Sequence, residues 1–191
     1  MTTEISSPAR VLIVGKRVRV LDELADALRH VGMVVHEETD IERVRSSVDG
    51  STIDILALGR TFSAAKRDRI VSALRAQNPG LRVVEGLAPI PALVVAQVQE
   101  VVTAPNRDTR IVGAAAYERG ANKIVLILRR PARTQVALYR LDPFYRVHQT
   151  DVFSGSLDRG RQALPLGRRV GRGERFLVVE SDGETTVHHL G

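Results

Sequence analysis

The apolar pattern of this chain changes period once, close to Pro105, and that change constrains the architecture more than any single motif. Before it, short apolar runs alternate with segments of helical spacing. After it, only short extended runs remain. A 3.6-residue period buries one stripe of a helix and a period of two buries one face of a strand, so a chain that uses them in turn is expected to build two differently layered bodies. With 191 residues, 43% of them hydrophobic, there is enough chain for two cores. The expected division is 1–105 and 106–191, with Pro105-Asn106-Arg107-Asp108 as the break.

The first half opens on Val11-Leu12-Ile13-Val14, a continuous apolar run of the kind a parallel strand covered on both faces requires. Gly15-Lys16-Arg17 follows. A helical pattern then places Leu21, Leu24, Leu28 and Val31 on one face, with Asp22 and Glu23 in its first turns and Gly32 as its stop. Met33 to His36 read as a second strand. Asp40 is placed to cap a short helix that buries Ile41, Val44 and Val48, and Ile53 to Leu58 form a third strand. Ser63 is placed to cap a helix burying Ile70, Val71 and Leu74, which ends at Asn78-Pro79-Gly80. Leu81 to Val84 form a fourth strand, and residues 90–103 a last, unusually apolar helix. Four strand-helix units at short intervals imply a short doubly wound parallel sheet, because each crossover helix returns the chain to start the next parallel strand.

This order of elements is similar to a response-regulator receiver domain over roughly residues 9–104. The resemblance implies a flavodoxin-like sheet whose strand ends carry the chemistry. The chemical positions differ. Where a receiver has an acidic pair after its first strand, this chain has Gly15 and Lys16; Gly59 follows Leu58 at the phospho-acceptor position, Gly86 stands for the switch Ser/Thr, and no fifth strand ends in Lys-Pro. Magnesium needs hard oxygen ligands, so the expectation is a pseudo-receiver that is not phosphorylated. A Rossmann nucleotide site is the rival: Gly15 supplies its first glycine and Glu37 the distant acid, but Arg17 and Val20 replace the second and third glycines. Gly15, Lys16 and Arg17 at a helix start remain candidates for an anion site, as an enzyme or sensor would need, or for a solvated basic loop.

In the second half, candidate strands run over Ile111 to Tyr117, Lys123 to Leu128, Thr134 to Leu141, Phe144 to Val152, Arg161 to Leu166, Phe176 to Glu180 and Thr185 to Leu190. Turn signals at Arg119-Gly120-Ala121-Asn122, Arg130-Pro131, Asp142-Pro143 and Asp182-Gly183 separate them. About seven strands imply a small antiparallel sandwich or barrel, resembling immunoglobulin-like or fibronectin-like modules without a Cys-Trp-Cys core. Ile111 to Tyr117 could instead complete the first sheet.

Charge separates the halves as sharply as period does. Residues 1–105 hold 13 Lys+Arg and 13 Asp+Glu, whereas 106–191 hold 15 and 9, so the whole net charge of +6 lies in the second. Its basic residues cluster at Arg129-Arg130-Arg133 and at Arg168-Arg169-Arg172-Arg175, with Tyr139, Tyr145, Phe153 and Phe176 nearby in sequence. Such a pattern suits nucleic acid, or a core with a charged rim on an interaction module. There is no cysteine, which excludes disulfides and thiolate sites and fits a reducing compartment. Met1 to Arg10 carry Glu4 and no apolar run, so no signal peptide and no membrane span are expected, and the localisation read from this is cytoplasmic.

Evidence for catalysis is sparse. His188 and His189 are adjacent in a strand and point to opposite faces, His30 sits near a helix end, and Ser154-Gly155-Ser156 is not a nucleophile elbow. The expectation is a non-catalytic regulatory or scaffolding protein with no cofactor and no metal, acting through protein contacts, with nucleic-acid binding by the basic half as an alternative. Leu93, Val94, Val98 and Val101 wrap most of the helix within residues 90–102 in apolar surface. That points either to packing inside the chain or to a two-fold homodimer.

Overall fold

The structure, a computed structural model, describes residues 7–59, 61–86, 90–103, 109–144 and 146–190. The chain forms two compact units, Met1–Val98 and Gln99–Gly191. The division falls inside a helix, where periodicity is continuous and composition carries no signal. Pro105 to Asp108 lie outside the described residues.

The first unit is a four-stranded parallel sheet in the order β2-β1-β3-β4, with strands β1 (Arg10–Val14), β2 (Val34–Glu38), β3 (Ile55–Gly59) and β4 (Arg82–Gly86). Central strands β1 and β3 are buried along Val11 to Val14 and Ile55 to Leu58, as continuous apolar runs require. Leu12, Val14, Leu56 and Leu58 point into a cluster completed by Ile41, Val44, Phe62, Ile70 and Leu74. Their neighbours Val11, Ile13, Ile55 and Ala57 alternate onto the opposite face and are equally buried.

Helix α1 (Val18–His30) buries Leu21, Leu24 and Leu28. It ends in a Schellman motif: Gly32, at φ +86°, donates to the Arg29 carbonyl, and Met33 donates to that of Leu28. Val31 is therefore not part of the buried face; it is the C-cap and is 40% exposed. Asp22 and Glu23 lie in the second turn of α1, where Glu23 pairs with Arg19. Helix α2 (Val44–Ser47) is a single turn, and Asp40 caps the turn ahead of it by accepting from the Glu42 amide. Ser63 stands at the N-cap of α3 (Ala64–Gln77), but its hydroxyl makes no capping bond. At the other end of α3, the Asn78 side chain donates to the Ile53 carbonyl and accepts from the Gly80 amide, tying the helix stop to the entry of β3. Helix α4 (Pro91–Thr103) buries Leu93, Val94, Ala96 and Val98.

The second unit is a β-sandwich. One sheet has the order β11-β10-β7-β8 and the other β5-β6-β9, all antiparallel. The strands are β5 (Val112–Glu118), β6 (Lys123–Leu128), β7 (Ala132–Leu141), β8 (Val147–Leu157), β9 (Gly160–Pro165), β10 (Glu174–Ser181) and β11 (Glu184–Leu190). Ile124, Leu126 and Leu164 of one sheet meet Val136, Leu138, Leu177 and Val179 of the other in one core. Strand β5 pairs with β6, so the 111–117 stretch belongs to the sandwich and not to the parallel sheet. Asp182 (φ 46°) and Gly183 (φ 83°) make the two-residue turn between β10 and β11, the left-handed pair that a tight hairpin demands. Phe144 is not a strand residue: β8 begins at Val147, and Phe144 lies in the preceding turn.

Candidate functional site

In the parallel unit, the carboxyl ends of the strands are where an α/β sheet places its ligands. Here they converge as glycines. Gly59 and Gly86 are register partners, and a Cβ at Gly59 would lie 3.9 Å from the Gly15 Cα. Gly15 serves packing: a Cβ on it would come within 3.2 Å of Leu21 Cδ2. The Lys16 ammonium lies 5.5 Å from the centroid of the Phe62 ring, which is itself buried in the core. Arg17 is the exposed N-cap of α1 and forms no side-chain cap.

The acids near this edge are held by their own segments. Glu37, the residue a ribose would need, accepts from Arg29 at 2.7 Å, and that carboxylate together with Asp26 raises the guanidinium's affinity for its proton. Glu38 accepts from the Asp40 amide at 2.9 Å. Among the described residues no group of three His, Asp or Glu side chains is placed to hold a metal.

In the sandwich, the two basic clusters lie at opposite ends of β7, about 30 Å apart for ten extended residues. At the first end, Arg130 pairs with Asp182 at 3.4 Å and Arg133 is exposed. A cleft of about 350 Å³ beside it is lined by Arg133, Gln135, Glu180, Asp182 and Thr185, with both signs of charge. At the second end, Arg168, Arg169 and Arg172 are exposed on the β9–β10 loop. Arg175 departs from its cluster. It is only 7% exposed, donates to the Gly171 carbonyl and stacks 5.7 Å from the Tyr117 ring centroid.

Among the described residues, the aromatics of this half that could have formed either a platform or a core are packed inward. Tyr139 and Phe176 are buried as register partners, and Phe153 packs against the core. Tyr145 lies outside the described residues. Among the described residues the exposed aromatic is Phe144, at 79%. It is held by Asp142, whose Oδ1 accepts from the amides of Phe144 and Arg146, both at 2.9 Å, while Oδ2 meets His148 Nε2 at 3.0 Å. The His148 contact and the Arg146 amide hold the Asp142 carboxyl below the usual carboxylate range. The sequence carried the signal for this turn in Asp142-Pro143, but an aromatic two residues later reads as the start of a strand.

A half-buried polar group ties the start of the sandwich to its last strand. Arg110 pairs with Glu100 at 2.9 Å, and the Ile111 amide donates to the Glu184 carboxylate at 3.1 Å. Burial pushes Glu100 up against the pull of Arg110, while burial and then Arg110 push His188 down. On the apolar helix, Leu93, Val94 and Val98 are buried within the chain, Val101 is half-buried and Val102 is 39% exposed. Little apolar surface of this stretch is therefore left exposed for a second copy of the chain.

A scan against models of known protein families finds no match to this chain, and a search of curated proteins likewise returns no relative.

Proposed function

We propose that this chain is a non-catalytic regulatory or scaffolding protein, a pseudo-receiver joined to an immunoglobulin- or fibronectin-like sandwich, which acts through protein contacts and is not phosphorylated. The order 2-1-3-4 of the parallel sheet supports the first part, since it is the flavodoxin-like order through its fourth strand. The sandwich supports the second. Its fourth strand, β8, pairs with its third, β7, instead of joining the sheet of β5, β6 and β9 as the fourth strand of an antibody constant domain would.

The observation that carries the reading is the convergence of Gly15, Gly59 and Gly86 at the carboxyl edge, with Lys16 seated over Phe62 where a receiver would gather carboxylates. Aspartyl phosphorylation needs an acceptor carboxylate and a magnesium ion bound through hard oxygens, and these positions offer neither. The test is incubation with acetyl phosphate and magnesium followed by intact-mass measurement. No added phosphoryl group is expected; a hydroxylamine-labile increase in mass would overturn the reading. The nucleotide alternative is checked beside it by thermal shift with NAD, NADP and ATP, where no saturable stabilisation is expected.

A further inference from the structure

Two loops of the sandwich meet at the Phe144 end. The Arg140 guanidinium donates to the Arg172 carbonyl at 2.9 Å, and Gly173, at φ +129°, lies so close under β7 that a Cβ would run into the Leu141 carbonyl. The β9–β10 loop is thus fastened to the strand that leads into the Phe144 turn. Single exposed apolar side chains are ordinary, and Phe144 alone would mean nothing. Its setting is what distinguishes it. Asp142 fixes the turn through two amides and His148, and the Arg146 guanidinium lies 5.9 Å from the ring centroid. Arg146 beside the ring, and Arg168, Arg169 and Arg172 on the β9–β10 loop fastened to the same end of β7, form no ion pair with any described residue. Of the carboxylates close in sequence, Asp142 is committed to its own turn and Glu174, two residues after Arg172, is itself engaged.

Resting on the reading of this chain as a protein-binding molecule, we infer that this end of the sandwich docks an acidic protein segment with apolar side chains among its carboxylates. The guanidinium groups have free forks for bidentate carboxylate contacts, and the ring, carried on a turn whose backbone Asp142 fixes, offers an apolar anchor. Charge alone would equally suit a nucleic acid, but tracking a single strand takes successive aromatic faces. Among the described residues Phe144 is the one exposed aromatic, while Tyr139 and Phe176 are committed to packing.

The test uses the full chain and two labelled peptides: four repeats of Glu-Glu-Leu-Gly, and the same peptide with serine for leucine. Fluorescence anisotropy should show binding of the leucine peptide that weakens with added salt. Phe144→Ser should weaken it about fivefold and leave the serine peptide unchanged, while Arg168→Glu with Arg169→Glu should weaken both about tenfold. Arg133→Glu, at the far end of β7, should change neither by more than about twofold. The substituted side chains are exposed, and circular dichroism checks that each variant is folded.

Unchanged affinity in Phe144→Ser overturns the proposal, as does an Arg133→Glu loss equal to that of the double variant. Tighter binding of an oligo-dT of matched charge, lost in Phe144→Ser, overturns it in favour of nucleic acid. Failure here in a chain that still refuses acetyl phosphate removes the docking surface alone. Phosphate acceptance with peptide binding intact removes the pseudo-receiver and keeps the surface.

Discussion

The carboxyl edge of the parallel sheet and the Phe144 end of the sandwich are built in opposite ways. At the first, the positions that chemistry would use carry glycine, Lys16 lies over Phe62 and Arg17 is exposed, while charge elsewhere in the unit is answered locally: Arg29 by Glu37 and Asp26, Arg19 by Glu23, Lys66 by Glu42, Arg67 by Glu85. At the second, Arg146 beside an exposed ring and three arginines of the neighbouring β9–β10 loop have no ion-pair partner among the described residues. Exposed ion pairs add little to stability, so the pairing in the first unit matters less for holding the fold than for leaving that surface nearly neutral. Both units bury apolar cores of the same kind, and they differ in which charges are left for something else to satisfy.

The comparison breaks most visibly if the cores are not separate. Leu12→Ala and Leu177→Ala each remove a fully buried side chain, one from each unit, and each should cost about 3 kcal/mol. Calorimetry should show Leu12→Ala lowering one transition and Leu177→Ala the other. If either substitution lowers both equally, the two units unfold as one, and their contrast is confined to the surface.

A smaller effect distinguishes the glycines. Gly173→Ala introduces a Cβ at φ +129° against a backbone carbonyl that cannot swing away, and should cost about 2 kcal/mol or more in the sandwich. Gly15→Ala meets only the movable end of Leu21 and should stay within about 0.5 kcal/mol, since the loss in packing is offset by a less flexible unfolded chain. Denaturant titration of both variants measures this. A large loss at Gly15 would mean that the edge is strained by more than packing.

The smallest effect is a pH dependence expected of the sandwich. Burial and Arg110 depress His188, so the native state binds fewer protons there than the unfolded chain does. That contribution is full above about pH 6.5 and is lost as pH falls from there toward the lower native-state value. Glu100, raised by burial, acts in the opposite sense at lower pH, where its protonation favours the native state. The sandwich transition should therefore move down by a few degrees at most between pH 7.5 and 5.5. His188→Gln should flatten the dependence over that interval.

Period and punctuation alone determined much of this molecule. Val11 to Val14 and Ile55 to Leu58 are continuous apolar runs and became the central, doubly covered strands. Gly32, Asn78 and Asp182-Gly183 stopped or turned the chain where local stereochemistry requires it, and local stereochemistry is legible one segment at a time. The absence of carboxylates at Gly15, Gly59 and Gly86 was likewise legible, because the ends of successive parallel strands fall on one edge. Only the tertiary structure decided how Arg168 to Arg175 divide, since four arginines close in sequence look alike until one finds Tyr117 and a carbonyl inside the sandwich while the others remain in water. It also decided that Tyr139 and Phe176 are core and Phe144 is surface. Burial of an aromatic depends on which strand lies across from it, and that pairing is a non-local choice no single segment encodes.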